Sequence, residues 1–172
     1  MTIRQESPQD YDKVYELVKA SFATASHSDG TEADYLNKIR QKDTFISQLS
    51  LVVVDGDMIT GQIVLYKMTI ALPNETMTEL VISPLSVHPG HFKKGIATTL
   101  VEAGLKKAKE LGYKATFLCG DPVFYEKLGF TATHNYGIYH IKDNTAPWCM
   151  VKELEKGFLD KFSKTPATID IE

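Results

Sequence analysis

Two periods of apolar residues alternate along the chain. Thr2–Gln5 reads as a short first strand, and Ser7-Pro8-Gln9-Asp10 then marks a helix start. Ser7 can cap, Pro8 suits the first helical position, and Asp10 completes a capping-box spacing. Val14, Leu17, Val18 and Phe22 follow at helical spacing. The small, polar stretch 23–30 predicts a loop, and 31–40 predicts a second helix with Leu36 and Ile39 inward. Residues 49–54 and 58–70 are β-rich, and Asp55-Gly56-Asp57 between them is a hairpin signal. Residues 77–87 predict another strand, in which Pro84 marks an edge or a bulge because it cannot donate to a ladder. The pattern then becomes strand, helix, strand over 80–87, 95–111 and 115–118, which predicts a parallel pair with a right-handed crossover. A short helix over 123–128 and strands over 130–134, 138–141 and 148–154 complete the reading. Hairpins outnumber βαβ units, so the expected class is α+β, a mixed α/β sheet rather than a doubly wound one.

Composition narrows the function. With 172 residues, 43% hydrophobic and 24% charged, the chain fits one globular domain, 1–172. Lys+Arg 19 against Asp+Glu 22 leaves a net charge of -3, which argues against nucleic-acid binding. No apolar run could span a bilayer, and MTIRQESPQD lacks the apolar core of a signal peptide. Cys119 and Cys149 are distant in sequence and form neither CxxC nor a disulfide framework. A reduced, cytoplasmic protein is the expectation.

The chemistry concentrates where a strand ends at His88-Pro89 and a helix begins near Gly95. At ~100° per residue, Ile96, Ala97, Leu100, Val101, Ala103, Leu105, Ala108 and Leu111 share one arc. Thr98, Thr99, Glu102, Lys106, Lys109 and Glu110 fill the other. That helix lies on a sheet, with Lys93, Lys94 and Gly95 before its first turn. Unpaired N–H groups and the positive dipole end favour an anion there, and Gly95 leaves room for a phosphate to reach the backbone. An ordinary strand-to-helix loop with solvated lysines would show the same residues.

The segment Val87-His88-Pro89, then Phe92-Lys93-Lys94-Gly95-Ile96-Ala97, resembles motif A of the Gcn5-related N-acetyltransferases. In that family Val-x-Pro precedes Gln/Arg-x-x-Gly-x-Gly/Ala; here Phe92 takes the Gln/Arg position. The stretch from Cys119 to Phe130, with Phe124-Tyr125 and Gly129-Phe130, is similar to motif B. Gly120-Asp121-Pro122, Pro84-Leu85-Ser86-Val87 and the run from Trp148 to Gly157 resemble the bacterial YhbS-like branch. The resemblance implies a central, mostly antiparallel twisted sheet with a splayed parallel pair of strands 4 and 5, flanked by about four helices. It implies acetyl-CoA as acyl donor, no metal, and direct transfer to a primary amine of a small molecule or peptide.

Implied site residues follow. Lys93, Lys94, Gly95, Ile96, Ala97 and Thr98 would bind the pyrophosphate of coenzyme A. Leu85, Ser86 and Val87, splayed from the ladder, would pair with the pantetheine arm, with an N–H near Val87 facing the thioester carbonyl. Asp121 would turn the chain beside that arm. Tyr125 holds the family's thiolate-protonating position, and its phenol (ordinary pKa ~10) stays protonated where a thiol at ~8.5 does not. An aromatic core residue beside Phe124 and Phe130 is the alternative for Tyr125. Glu79 roughly matches a catalytic glutamate of some relatives, against a solvated strand glutamate or base catalysis by water. His88 and His91, with His134 and His140 distant, complete no zinc site. The competing functions are a non-catalytic acyl-CoA-binding or sensing protein and a thioester hydrolase. The acceptor is expected along 22–32, 71–76 and 136–139, with Asp29, Glu32 and Asp34 able to favour a cationic amine, in a monomer or homodimer.

Overall fold

The Asp10 carboxylate accepts from the Ser7 N–H at 2.8 Å and from the Ser7 hydroxyl at 2.7 Å, so the chain turns at Pro8–Asp10 into its first helix. Arg4 clamps the same carboxylate through two hydrogen bonds, holding the Asp10 pKa well below the usual carboxylate range. The computed structural model describes residues 1–23, 25 and 28–171. In chain order the elements are β1 (Thr2–Gln5), α1 (Tyr11–Phe22), α2 (Glu32–Ile39), β2 (Ser50–Asp55), β3 (Met58–Ala71), β4 (Thr76–Val87) and α3 (Ile96–Glu110). Then come β5 (Ala115–Cys119), α4 (Pro122–Tyr125), β6 (Thr131–Ala132), β7 (Ile138–His140), β8 (Cys149–Glu153) and β9 (Ala167–Ile169).

The described residues fall into two compact units. The first holds Met1–Tyr66 and Ser83–Lys107; the second holds Lys67–Ile82 and the chain from Ala108 onward. In the first unit β1, β2 and β3 are antiparallel, and Asp55 pairs with Met58, so the hairpin signal at Asp55-Gly56-Asp57 becomes a two-residue turn. Val14, Leu17, Val18, Ala33 and Leu36 of α1 and α2 pack with Val52, Ile59 and Val64. Helix α3 lies close against β3: a Cβ on Gly61 would stand 2.6 Å from Ile96 Cγ2 and 2.9 Å from Leu100 Cδ1.

A buried ion pair fixes the end of α2 in this unit. Arg40 and Glu6 keep 3% and 1% of their side-chain surface exposed, and Ser50 Oγ donates to the same carboxylate at 2.6 Å. The guanidinium also lies 4.0 Å over the Tyr11 ring. Arg40→Met strands the Glu6 charge in the interior, so stability in urea should fall by about 3–5 kcal/mol. A loss below about 1 kcal/mol would show that Glu6 needs no cationic partner.

In the second unit β4 and β5 are parallel, with Leu80↔Thr116 and Val81↔Phe117 as register. Strand β8 runs antiparallel to both β5 and β6. Strand β9 pairs antiparallel with the end of β3 and parallel with β7. This is the mixed α/β fold expected, and the β4–β5 pairing ends at Val81, ahead of Pro84. Pro84 does not mark an edge strand, because β4 lies between β3 and β5 in the sheet order.

Several expectations need correction. The strand expected over 130–134 is two residues long and becomes a 3-10 turn at Thr133–Tyr136, ended by Gly137 at φ 81°. Leu111 is exposed, since α3 stops at Glu110 and Gly112 turns the chain at φ 88°. Cys119 and Cys149, distant in sequence, are direct partners across β5 and β8.

Candidate active site

The strand-to-helix loop of the first unit is built by unusual backbone. Lys93 sits at φ 62° and Gly95 at φ 77°, so two left-handed residues turn the chain sharply into α3. A non-glycine residue in that region is an outlier of the kind that accompanies function. The first hydrogen bond of the helix runs from Thr99 N–H to the Gly95 carbonyl at 3.0 Å. The N–H groups of Ile96, Ala97 and Thr98 precede it and have no helical acceptor. Lys93, Lys94 and Gly95 are exposed, Ile96 is buried, and Ala97 and Thr98 are half-buried. A Cβ placed on Gly95 meets no atom within 4 Å. Open space, unpaired donors, a helix dipole and two lysines suit a phosphate.

The loop is anchored behind. His88 N–H donates to the Thr60 carbonyl at 2.9 Å, His88 Nδ1 accepts from Gly90 N–H at 3.1 Å, and the His88 and His91 rings meet edge to face at 5.6 Å. Phe92 is 48% exposed. Phe92→Gln therefore removes no core packing, and calorimetry should show coenzyme A affinity unchanged or raised. Strong weakening would mean that the ring packs on the ligand.

The end of β4 departs from expectation. Leu85 is half-buried, while Ser86 and Val87 are buried. The groups expected to be free there have partners from side chains. Gln62 Nε2 donates to the Pro84 carbonyl at 3.1 Å and to Ser86 Oγ at 3.2 Å. The Val87 N–H, expected to face a thioester carbonyl, donates to Ser21 Oγ on α1 at 3.3 Å. Buried polar groups are costly to leave unpaired, which is why side chains fill the gap in the ladder. Gln62 and Ser21 carried no sequence signal.

A groove of about 850 Å³ in the same unit reaches His88. Asp12, Glu16, Asp55 and Asp57 line it. Lys13 is the one lysine in the lining, so the groove is net negative and disfavours a phosphate.

In the second unit, Asp121 caps α4: its carboxylate accepts from Val123 N–H at 2.9 Å, and its carbonyl accepts from Phe124 and Tyr125 at 3.1 Å. The Asp121 side chain is thus occupied in positioning Tyr125. The Tyr125 ring meets Phe124 at 4.8 Å and Phe130 at 5.6 Å, both edge to face. It also covers Gly120, where an added Cβ would lie 2.9 Å from Tyr125 Cδ2. Burial pushes the phenol up to about 12. Among the described residues its hydroxyl has no hydrogen-bond partner.

Glu79 is the residue the structure places elsewhere. It is 4% exposed, not solvated, and one oxygen accepts from the N–H groups of Lys114 and Ala115 at 2.9 and 3.2 Å. Burial raises its pKa, opposed by those N–H groups. It holds the start of β5, whereas Tyr125 packs on Gly120 past the other end, about 17 Å along a strand. The two are not brought together.

Two of the acidic residues named for the acceptor are engaged within the fold, Asp29 in a local turn and Asp34 between α2 and α1. Asp29 accepts from the N–H and hydroxyl of Thr31, which lowers its pKa, and Asp34 accepts from the Tyr15 hydroxyl at 3.0 Å. Part of that segment (residues 24, 26 and 27) lies outside the described residues. Among the described residues no His, Cys, Asp and Glu side chains gather into a metal-binding group, and no helix is long and apolar enough to cross a membrane.

Residues 2–133 match the model of the acetyltransferase (GNAT) domain. The chain is 33% identical over 132 residues to the uncharacterized N-acetyltransferase YhbS of Escherichia coli K12, covering 76% of this chain and 73% of that protein. The crystal structure of E. coli YhbS in complex with CoA superposes with a TM-score of 0.83 over 99% of this chain and 89% of that one, at 23% identity. A GNAT family acetyltransferase from Brucella melitensis, in complex with acetyl-CoA, gives 0.68 at 25% identity, over 76% and 82% of the two chains.

Proposed function

Because this chain belongs to the GNAT acetyltransferase family, we propose that it transfers the acetyl group of acetyl-CoA directly to a primary amine of a small molecule or peptide. The reading takes residues 1–172 as one catalytic domain working in the cytoplasm. The carrying observation is the loop before α3: left-handed Lys93 and Gly95, open space over Gly95, and helix donors without acceptors. The CoA and acetyl-CoA held by the E. coli and Brucella structures support the choice of anion.

In this mechanism the N–H groups around Gly95, Ile96, Ala97 and Thr98 bind the pyrophosphate, and Lys93 and Lys94 add charge. Leu85 and Ser86 offer backbone groups to the pantetheine arm. The Val87 bond to Ser21 is long and weak, so a thioester carbonyl can replace the hydroxyl as acceptor. There the N–H stabilises the oxyanion as the neutral amine attacks carbon. Collapse expels the coenzyme thiolate, and the Tyr125 phenol protonates it. Water takes the amine proton, since Glu79 is committed to β5.

One observation favours a second reading, a non-catalytic acyl-CoA sensor: exposed Phe92 stands where the family places Gln or Arg. Incubation with acetyl-CoA and a panel of primary amines separates the readings through thiol release. Release that depends on an amine supports transfer. Binding without release supports the sensor, and release without amine supports a thioester hydrolase.

A further inference from the structure

Cys119 closes β5, Cys149 opens β8, and the antiparallel register sets them directly opposite. Gly120 N–H donates to the Trp148 carbonyl at 2.9 Å, which makes Gly120 and Trp148 a hydrogen-bonded pair of the ladder. Pair types alternate along antiparallel strands, so Cys119 and Cys149 form a non-hydrogen-bonded pair. In agreement, Cys149 N–H turns back to the Ala146 carbonyl at 3.4 Å instead of crossing to Cys119. In such pairs Cα atoms lie about 4.5 Å apart and side chains are closest. That separation falls inside the range of about 4.4–6.8 Å spanned by disulfides. Neither cysteine is in a disulfide. The Cys119 thiol donates to the Ile171 carbonyl at 3.8 Å, and the neighbouring Cys119 and Thr133 lower the Cys149 pKa against its burial. Cys149 is fully buried and Cys119 half-buried, so a reagent in solution reaches the pair through Cys119.

We propose that Cys119 and Cys149 are a redox-active dithiol that closes reversibly to a cross-strand disulfide, with a small disulfide of the oxidised-glutathione class as oxidant. The Cys119 thiolate attacks one sulfur of the oxidant and expels a thiolate, leaving a mixed disulfide on Cys119. The Cys149 thiolate then attacks the Cys119 sulfur and expels the second small thiol. The protein gives up two protons and two electrons, and the oxidant becomes two thiols. Cys119 immediately precedes Gly120, on which Tyr125 rests. Resting on the acetyl-transfer reading, closure shifts the strand end that positions the proton donor and slows turnover.

The test equilibrates the full chain with oxidised and reduced glutathione, alkylates free thiols and maps the peptides. The expected product is one peptide pair joined through Cys119 and Cys149, with both thiols lost together and recovered by dithiothreitol. The single tryptophan, Trp148, adjoins Cys149 and reports closure as quenched fluorescence. Cys149→Ala should stop the reaction at a glutathione adduct on Cys119, and Cys119→Ser should leave Cys149 unmodified, in proteins whose melting shows them folded. A glutathione adduct on wild-type Cys119 with Cys149 still alkylated, or a cross-link only between chains, overturns the proposal. Turnover with the best amine of the panel should be several-fold lower in the cross-linked protein and return on reduction; unchanged turnover at full cross-linking overturns the regulatory half. If the reduced protein has no amine-dependent turnover, the acetyl-transfer reading fails while the peptide map still decides the dithiol.

Discussion

Tyr125→Phe should lower the turnover number by about ten- to a thousand-fold, a loss of ~1.4 to 4 kcal/mol in the transition state. The variant keeps the ring, and with it the edge-to-face contacts to Phe124 and Phe130. The hydroxyl has no partner among the described residues, so its removal leaves no group stranded. What is lost is the proton for the departing thiolate. Affinity for acetyl-CoA should change little, because the phenol acts as charge develops on sulfur. The pH profile gives an independent check. The acid must be protonated to act, and burial pushes the phenol up to about 12. The wild-type rate should therefore persist through the ordinary phenol range near ~10 and fall only toward higher pH. Tyr125→Phe should lack that limb. Unchanged turnover with a lowered Tm would make Tyr125 a packing residue and leave protonation to water.

Gly95→Val should weaken coenzyme A binding by about a hundredfold or more, ~3 kcal/mol, while leaving a folded protein. The protein itself offers the new side chain no clash, since nothing lies within 4 Å of a Cβ there. The left-handed backbone at φ 77° costs the variant about 1–2 kcal/mol of stability. The larger effect falls on the ligand, because a branched side chain fills the space where the pyrophosphate would approach. Gly95→Ala carries the same backbone strain with little bulk, so it separates strain from obstruction. Normal binding by the valine variant in calorimetry would move the pyrophosphate away from this loop.

Local patterns made the elements legible. Asp55-Gly56-Asp57 placed the β2–β3 hairpin, and the spacing from Ile96 to Ala108 placed the buried face of α3, because turn chemistry and periodicity act within a few residues. The failures lie where distant segments decide. The strand expected over 130–134 stops at Ala132 and turns at Thr133–Tyr136, where Gly137 packs against the backbone of Phe162 and Ser163. The environment of Glu79 depends on the N–H groups of Lys114 and Ala115, thirty-five and thirty-six residues away. The Ser21 hydroxyl on the Val87 N–H, and the Cys119–Cys149 pair, are facts of packing and register that a one-dimensional pattern does not carry. In the candidate site, the loop before α3 was readable because its glycine, lysines and helix start are contiguous. The surroundings of Glu79 and Tyr125 were not, because their burial and partners come from other segments.

The most direct test of acetyl transfer follows the acetyl group itself. With isotopically labelled acetyl-CoA and the amine panel, mass spectrometry of the products should show labelled acetyl on an amine nitrogen. Its amount should equal the coenzyme A released, and both should drop together in Tyr125→Phe. Labelled acetate in place of an acetylated amine, or no coenzyme A release with any amine, would contradict the account.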